Sequence, residues 1–491
     1  MERMEKGTGW ELFWLLMGRT AVILGVALLV PAGMALFWQE PEAWLFLMPA
    51  SFALFLGVAM MRMGQEYHRQ LTIREGALFM VMVWPFMGII GLMPYYSSGL
   101  LPDWISAFLE TISSLTTTGL SCLTFDRAGL PRSLLLWHTL MSWLGGLTFV
   151  SVLVTVLPQV SGCFGVTLSA RQTIFFSPVW NRMSQSVNQG VSVYSALTLL
   201  VAVLFWLAGL TPFDALMQAM LMLSSSGDSS MASFMFYDNC WLELAAIAAM
   251  VISGMNLLLC WKVWNRKRIR LLLQDTELRA FLLVFLLAGL MISVHLYLLH
   301  CYDGSNSFRY GFFQAISFLS TGGFASASFW YWPDFDRYVL FLLVFVGGCI
   351  GSAGGGLKVV RILVLLRMAR AEIHRTLHPH MVVSIKMDGL PVAAKIVGRI
   401  LAFFFLYMLS FTVFSLLISI TGLGLLPSMG IAAGCLTSTG STAALFGIGN
   451  LAFLPDWAKL VCSLLMIMGR IEIFSFLILI DVGVRMLHQK W

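Results

Sequence analysis

The sequence predicts an all-α polytopic membrane protein: ten transmembrane helices plus four re-entrant half-helices, arranged as four span–half-helix–span repeats behind two extra N-terminal spans. Three observations predict it. Of the 491 residues 59% are apolar, only 11% are charged, and the mean hydropathy is +0.86. An ordinary soluble domain carries roughly 25% charged residues. Lysine and arginine gather in alternate loops. One short motif recurs four times along the chain. This composition excludes a disordered chain, a secreted disulfide scaffold and an ordinary cytosolic enzyme.

The spans come first, because a helix needs about 20 apolar residues to cross the hydrocarbon core. Phe13–Trp38 qualifies, interrupted only by Arg19, and reads as an uncleaved first span. Ala43–Met61 follows, and then the uncharged runs that begin at Gly76 and Ser133. The rest are Val191–Leu210, Leu244–Trp261, Ala280–Cys301, Tyr338–Leu357 with an extension, Ile400–Thr421 and Leu460–Ile480. The eight cysteines form no C-x-x-C pair and lie mostly in apolar runs, so they read as small core residues.

With the N-terminus inside, the inner loops carry Arg62, Arg69, Arg74, Arg171, Arg182, the cluster Lys262–Arg270, and Arg361 to Arg399. The outer segments hold five of the 30 basic residues: Arg127, Arg132, Arg309, Arg337 and Lys459. This asymmetry sets the orientation, with both termini cytoplasmic. The basic stretch at 262–270 is therefore a membrane-flanking anchor and not a nucleic-acid site. Acidic residues favour the outer side, where they solvate loops or concentrate cations at a vestibule. His374, His378 and His380 lie in a basic inner loop; they read as solvated, with metal binding as the alternative.

Four apolar stretches are too short to span, and each ends in a Ser/Thr-Gly motif. They are Trp104–Ser114 before Thr116-Thr117-Thr118-Gly119, Phe213–Leu223 before Ser225-Ser226-Gly227, Tyr310–Leu319 before Ser320-Thr321-Gly322, and Ser428–Leu436 before Ser438-Thr439-Gly440. Gly119, Gly227, Gly322 and Gly440 align, and Asp103, Thr211 and Asn306 stand 16 residues before the first three as helix-capping types. Bare loops at membrane depth are tolerated only where they line a cavity or are buried in protein. Each loop follows a helix C-terminus, the negative end of the macrodipole. Four such ends on one axis favour a dehydrated cation, with hydroxyls and glycine-permitted carbonyls as ligands. Helix packing by small residues is the alternative for any single motif.

This pattern resembles the TrkH/KtrB/HKT superfamily of potassium transporters, most closely the TrkH-type uptake proteins. Two further stretches carry the resemblance: Gly347-Gly-Cys-Ile-Gly-Ser-Ala-Gly-Gly-Gly-Leu-Lys358 and Gly469-Arg-Ile-Glu-Ile473. The resemblance implies two N-terminal spans over 1–75 and four repeats around one pore, over 76–170, 171–272, 273–390 and 391–491. It implies four pore helices and a potassium filter at the twelve Ser, Thr and Gly residues of the motifs. It also implies a homodimer in the bacterial cytoplasmic membrane and a cytosolic ring of nucleotide-binding regulatory subunits of the TrkA kind. Potassium is then substrate, and no cofactor belongs to this chain.

Six glycines (Gly347, Gly348, Gly351, Gly354, Gly355 and Gly356) would break a helix, each costing about 1 kcal/mol relative to alanine. Lying below the third motif, the broken segment suits a gate across the pore, or close packing of small residues. The Walker spacing of a phosphate loop is absent. Arg470 and Glu472 sit inside an apolar span, where charges face the bundle interior. Arg470 reads as a gate cation facing the pore or the glycine stretch, or as half of a structural pair. Lys358 is either a pore-side charge or snorkels to the cytoplasm. Asp228, after the second motif, departs from the family pattern and leaves room for sodium. A sodium-selective or a sodium- or proton-coupled symporter is thus the alternative within the class. An intramembrane enzyme or a sensor is the alternative outside it.

Overall fold

The computed structural model describes residues 10–64, 73–101, 103–123, 130–155, 180–227, 234–267, 270–378, 385–388, 390–471, 473 and 476. The described chain is helical nearly throughout. Its strands are one antiparallel pair, Lys386–Met387 with Leu390–Pro391. Two helices, Trp10–Phe37 and Ala43–Met63, pair at the N-terminal end. Their contact depends on glycine: a Cβ on Gly18 would lie 2.7 Å from the Gly57 carbonyl oxygen.

Four units follow, each with an outer helix, a half-helix and an inner helix. In unit 1 these are Ile73–Gly91, Trp104–Leu115 and Arg132–Thr155. In unit 2 they are Trp180–Leu207, Pro212–Ser224 and Cys240–Gly254, the last continued by Leu257–Arg266. In unit 3 they are Thr276–Leu298, Gly304–Leu319 and Asp334–Val346, continued by Val359–Leu377. In unit 4 they are Ala394–Ser419, Leu425–Thr437 and Asp456–Ile471. Every half-helix packs on the outer and inner helices of its own unit. Each also packs on the inner helix of the preceding unit, and half-helix 1 packs on the inner helix of unit 4. The chain therefore closes a four-membered ring.

Six helices are long and apolar enough to cross a membrane among the described residues: the N-terminal pair and the four outer helices, the first outer one read as Leu78–Ser97. The bent pair of unit 2 makes a seventh if counted as one span. The outer helices turn apolar side chains outward, as Leu283, Leu286, Leu287 and Leu290 do in unit 3. Polar groups lie inside, among them Glu110, Ser113, Thr116 and Gln314. Two of the inner spans read from the sequence are interrupted. In unit 2 the two helices meet at 102°, with Met255 extended and Asn256 Oδ1 accepting from Leu259 N at 3.4 Å. In unit 3 the helix stops at Val346, and Gly347, Gly351 and Gly356 take φ of +73°, +83° and +78°. Those angles are open to glycine and close the helical path.

The helix caps differ in part from expectation. Thr211 caps half-helix 2 through Oγ1, which accepts from Asp214 N at 3.2 Å. Asp103 is the first residue of its helix boundary but makes no side-chain capping bond. Asn306 is not a cap: half-helix 3 starts earlier, after Asp303, and Asn306 lies within its first turn. Half-helix 4 starts at Leu425, with Gly424 at its boundary and no side-chain capping bond.

Glycines in the inner helices let the half-helix ends approach. A Cβ on Gly145 would run into the Leu115 carbonyl, 2.7 Å from its carbon. One on Gly469 would meet the Leu436 carbonyl in the same way. Gly145→Ala should therefore lower the melting midpoint of the detergent-solubilised protein by several degrees, on an overpacking cost of about 1–3 kcal/mol. Gly33→Ala, where an added Cβ meets nothing within 4 Å, should leave the midpoint unchanged or raise it.

Candidate functional site

Each half-helix ends by the same backbone turn. The amide of Thr118 donates to Ser113 O at 2.8 Å, Ser226 to Leu221 O at 3.0 Å, Gly322 to Ser317 O at 2.8 Å and Thr439 to Gly434 O at 2.9 Å. The residue just before each donor is left-handed: Thr117, Ser225, Thr321 and Ser438 have φ of 56°, 55°, 57° and 56°. Helices commonly end this way on glycine. On other residues the conformation costs roughly 1–2 kcal/mol, and a β-branched threonine is an outlier there. Four hydroxyl residues take that conformation at one register, a kind of backbone strain that clusters at functional sites. All four are buried. Thr117 Oγ1, Ser225 Oγ and Ser438 Oγ have no hydrogen-bond partner among the described residues, whereas Thr321 Oγ1 accepts from Gly355 N at 2.8 Å.

This register corrects the third motif. The left-handed residue stands two before Gly119, Gly227 and Gly440, and two before Gly323. Gly323, and not Gly322, is therefore the structural counterpart of the other three; Gly322 matches Thr118, Ser226 and Thr439. Half-helix 3 begins a turn earlier, which is why spacing from Asn306 pointed to the wrong member of the Gly-Gly pair. A sequence signal for the right register existed. Glu110, Gln218 and Gln314 stand nine residues before Gly119, Gly227 and Gly323.

The four loops converge, and all twelve motif residues read from the sequence are buried. Loop 4 meets loop 1: Gly440 N donates to Thr118 O at 2.5 Å, and a Cβ on Gly440 would lie 2.6 Å from the Gly119 carbonyl carbon. Loop 2 meets loop 3: a Cβ on Gly227 would strike the Gly322 oxygen and lie 2.6 Å from the Gly323 carbonyl carbon. A Cβ on Gly323 would lie 2.8 Å from Ser441 Oγ of loop 4. Gly119 and Gly323 have φ of +75° and +72°, so glycine is required there by conformation and at Gly227 and Gly440 by crowding. Gly322 is less constrained, since a Cβ would lie 3.2 Å from the side chains of Phe324 and Ser320.

The glycine stretch 347–358 lies directly against these loops. Cβ atoms on Gly354 and Gly355 would meet the carbonyls of Ser320 and Thr437, the latter the last residue of half-helix 4. Cys349 N donates to Gly254 O at 2.9 Å, Leu257 N to Gly351 O at 3.2 Å, and Ile350 N to Glu277 Oε1 at 2.7 Å. Arg470 is fully buried, and its Nη1 donates to Ala353 O at 2.7 Å. The stretch is thus held from units 2, 3 and 4. Lys358 does not snorkel: it is buried, and its Nζ turns back to Ser352 Oγ at 3.2 Å and to the Gly354 carbonyl. Gly348 packs on Gly254, while Gly347 and Gly356 pack on each other. Asp228, Glu472 and His380 lie outside the described residues; His374 is half-buried and His378 exposed.

Residues 48–485 match the model of the TrkH family, described as a cation transport protein. The chain belongs to the TrkH family. It is 30% identical to the Trk system potassium uptake protein TrkH of Vibrio parahaemolyticus, over 95% of this chain and 97% of that one. It is 31% identical to TrkG of Escherichia coli K12, over 93% and 95% of the two chains. The crystal structure of the potassium transporter TrkH from Vibrio parahaemolyticus superposes with a TM-score of 0.88 at 28% identity, covering 96% of this chain and 98% of that one. Membership in a cation transport family sets aside the enzyme reading.

Within a TrkH-family chain the corrected register has a direct test. Gly323→Ala places a side chain at positive φ against Ser441, so it should reduce cation uptake roughly fivefold or more beyond Gly322→Ala. Uptake measured with equal amounts of inserted protein checks the ranking.

Proposed function

We propose that this chain is the translocating subunit of a potassium uptake system, carrying the ion inward through a filter at the four converging loops. One observation supports this most: four buried helix C-termini closing on left-handed Thr or Ser residues at one register. The macrodipoles direct negative charge at the axis. Hydroxyls and carbonyls there replace part of a hydration shell, the means by which a filter selects a large monovalent cation. The names of the relatives, Trk system potassium uptake proteins, supply the ion.

In this reading ten spans carry four pore helices. The filter residues are Thr117 to Gly119, Ser225 to Gly227, Thr321 to Gly323 with Ser320, and Ser438 to Gly440. The glycine stretch 347–358 is the gate. It sits under loops 3 and 4, and the buried Arg470 charge repels a cation leaving the filter. The protein works in a bacterial cytoplasmic membrane as a homodimer with both termini inside. A cytosolic nucleotide-binding ring docks on the basic surfaces at 262–270 and 358–399 and moves the gate. Sodium passage and ion coupling are judged by competition and by imposed gradients.

Rubidium uptake into proteoliposomes tests the proposal. Uptake should follow reconstitution of the chain, and potassium should compete at much lower concentration than sodium. Equal competition by the two ions would refute the selectivity. Arg470→Ala should raise basal flux severalfold and leave the potassium-to-sodium ratio nearly unchanged. Arg470→Lys, which keeps the charge but loses the planar fork, should fall between. Unaltered flux in a well-inserted Arg470→Ala protein would reduce Arg470 to a structural tie.

A further inference from the structure

Behind the filter lies a second repeated device. Glu110 is fully buried in half-helix 1, nine residues before Gly119. Its Oε2 accepts from Cys122 N at 2.8 Å and from Ser121 Oγ at 2.9 Å, and its Oε1 accepts from the same hydroxyl at 3.1 Å. Cys122 stands three residues after Gly119. Gln314 occupies the same place in unit 3, nine residues before Gly323. In the orientation that satisfies both ends of its amide, Oε1 accepts from Ser326 N at 2.9 Å and Nε2 donates to Phe324 O at 3.2 Å. Ser326 likewise stands three residues after its glycine. In both units a buried acceptor on the half-helix holds the amide that ends the loop, and the filter residues are strung between these two fixed points. Gln218 is buried at the matching position of unit 2, and residue 230, its register partner, lies outside the described residues. Unit 4 has Ile431 there, which cannot accept. Its loop is held instead by the short helix Ser441–Ala444, with Ala443 N donating to Gly440 O at 3.1 Å.

Charge distinguishes unit 1. At this position units 2 and 3 carry a neutral amide, unit 4 an apolar side chain, and unit 1 a carboxylate. His138 is packed beside it: Nδ1 lies 3.5 Å from Glu110 Oε1 and 3.0 Å from Ser114 Oγ. A charge buried behind one wall of the ring, away from bulk water, acts on an ion at the axis through low dielectric.

We infer that Glu110 and Gln314 are positioning residues of the filter, each tying its loop to its half-helix, and that the Glu110 carboxylate also sets ion affinity from outside the coordination shell. The inference rests on the filter reading above. It separates two effects, a tie that holds loop shape and a charge that attracts the ion.

The test is competitive rubidium uptake into proteoliposomes with near-isosteric variants. Glu110→Gln keeps an acceptor for Cys122 N and removes the charge. It should raise the half-saturation concentration for rubidium roughly three- to tenfold while the rubidium-to-sodium ratio holds. The double variant Glu110→Gln with Gln314→Glu moves the carboxylate to unit 3 and should restore affinity. Gln314→Leu removes a tie with no change of charge and should relax the ratio toward sodium. Where Gln314→Leu does not insert, Gln314→Met gives the same loss of acceptor in a flexible chain. Wild-type affinity in Glu110→Gln overturns the charge effect, and a wild-type ratio in the Gln314 variants overturns the tie. Absence of rubidium uptake by the unaltered protein would instead overturn the filter reading itself.

Discussion

Four helices in this protein end inside it, and the carbonyls of their last turns must find partners there. In a membrane an unsatisfied backbone group costs several kcal/mol. The chain meets the demand four times with one turn, in which the amide five residues along closes on the helix and a Thr or Ser takes a left-handed conformation. That turn puts a hydroxyl residue at the same register in all four loops and brings the following glycines into contact. The glycines are then fixed by two different needs, positive φ at Gly119 and Gly323 and crowding at Gly227 and Gly440. The cyclic packing of half-helices between inner helices serves the same end, since Gly145 and Gly469 admit the carbonyls of Leu115 and Leu436 at close range.

The break in the third inner helix follows from this geometry. On the path the backbone takes under loops 3 and 4, side chains at 354 and 355 would carry Cβ atoms into the carbonyls of Ser320 and Thr437. Glycines remove those atoms, and the freed backbone groups bond to Gly254, Glu277, Thr321 and Arg470. The stretch is therefore well tied, and opening it means exchanging several hydrogen bonds. Arg470 holds one of them, and in the proposed gate the same side chain would both block and latch.

The membrane class was legible in the sequence because composition and charge asymmetry are bulk properties that no packing detail reverses. The four motifs and the glycine break were legible because Gly, Ser and Thr are needed wherever backbone replaces side chain. The alignment at Gly322 was less so: a Gly-Gly pair offers two registers, and the left-handed Thr321, two residues before Gly323, decides between them. Asn306 looked like a cap since its type suits one, yet Asp303 precedes it at the true helix start. The inward turn of Lys358 depends on carbonyls exposed by the broken helix, which no local pattern reveals. The ties from Glu110 and Gln314 were readable in principle as a Glu/Gln recurrence nine residues before the glycines of the first three units, hidden by the one-residue shift in the third motif.

In the proposed filter the ring of left-handed hydroxyl residues and glycines holds a largely dehydrated monovalent cation. The most direct measurement is anomalous diffraction from crystals of the protein grown in rubidium. Ordered rubidium is expected on the axis of the four loops, beside Thr117, Ser225, Thr321 and Ser438 and the glycines that follow them. Ordered rubidium elsewhere with none at this level, in crystals saturated with the ion, would contradict it.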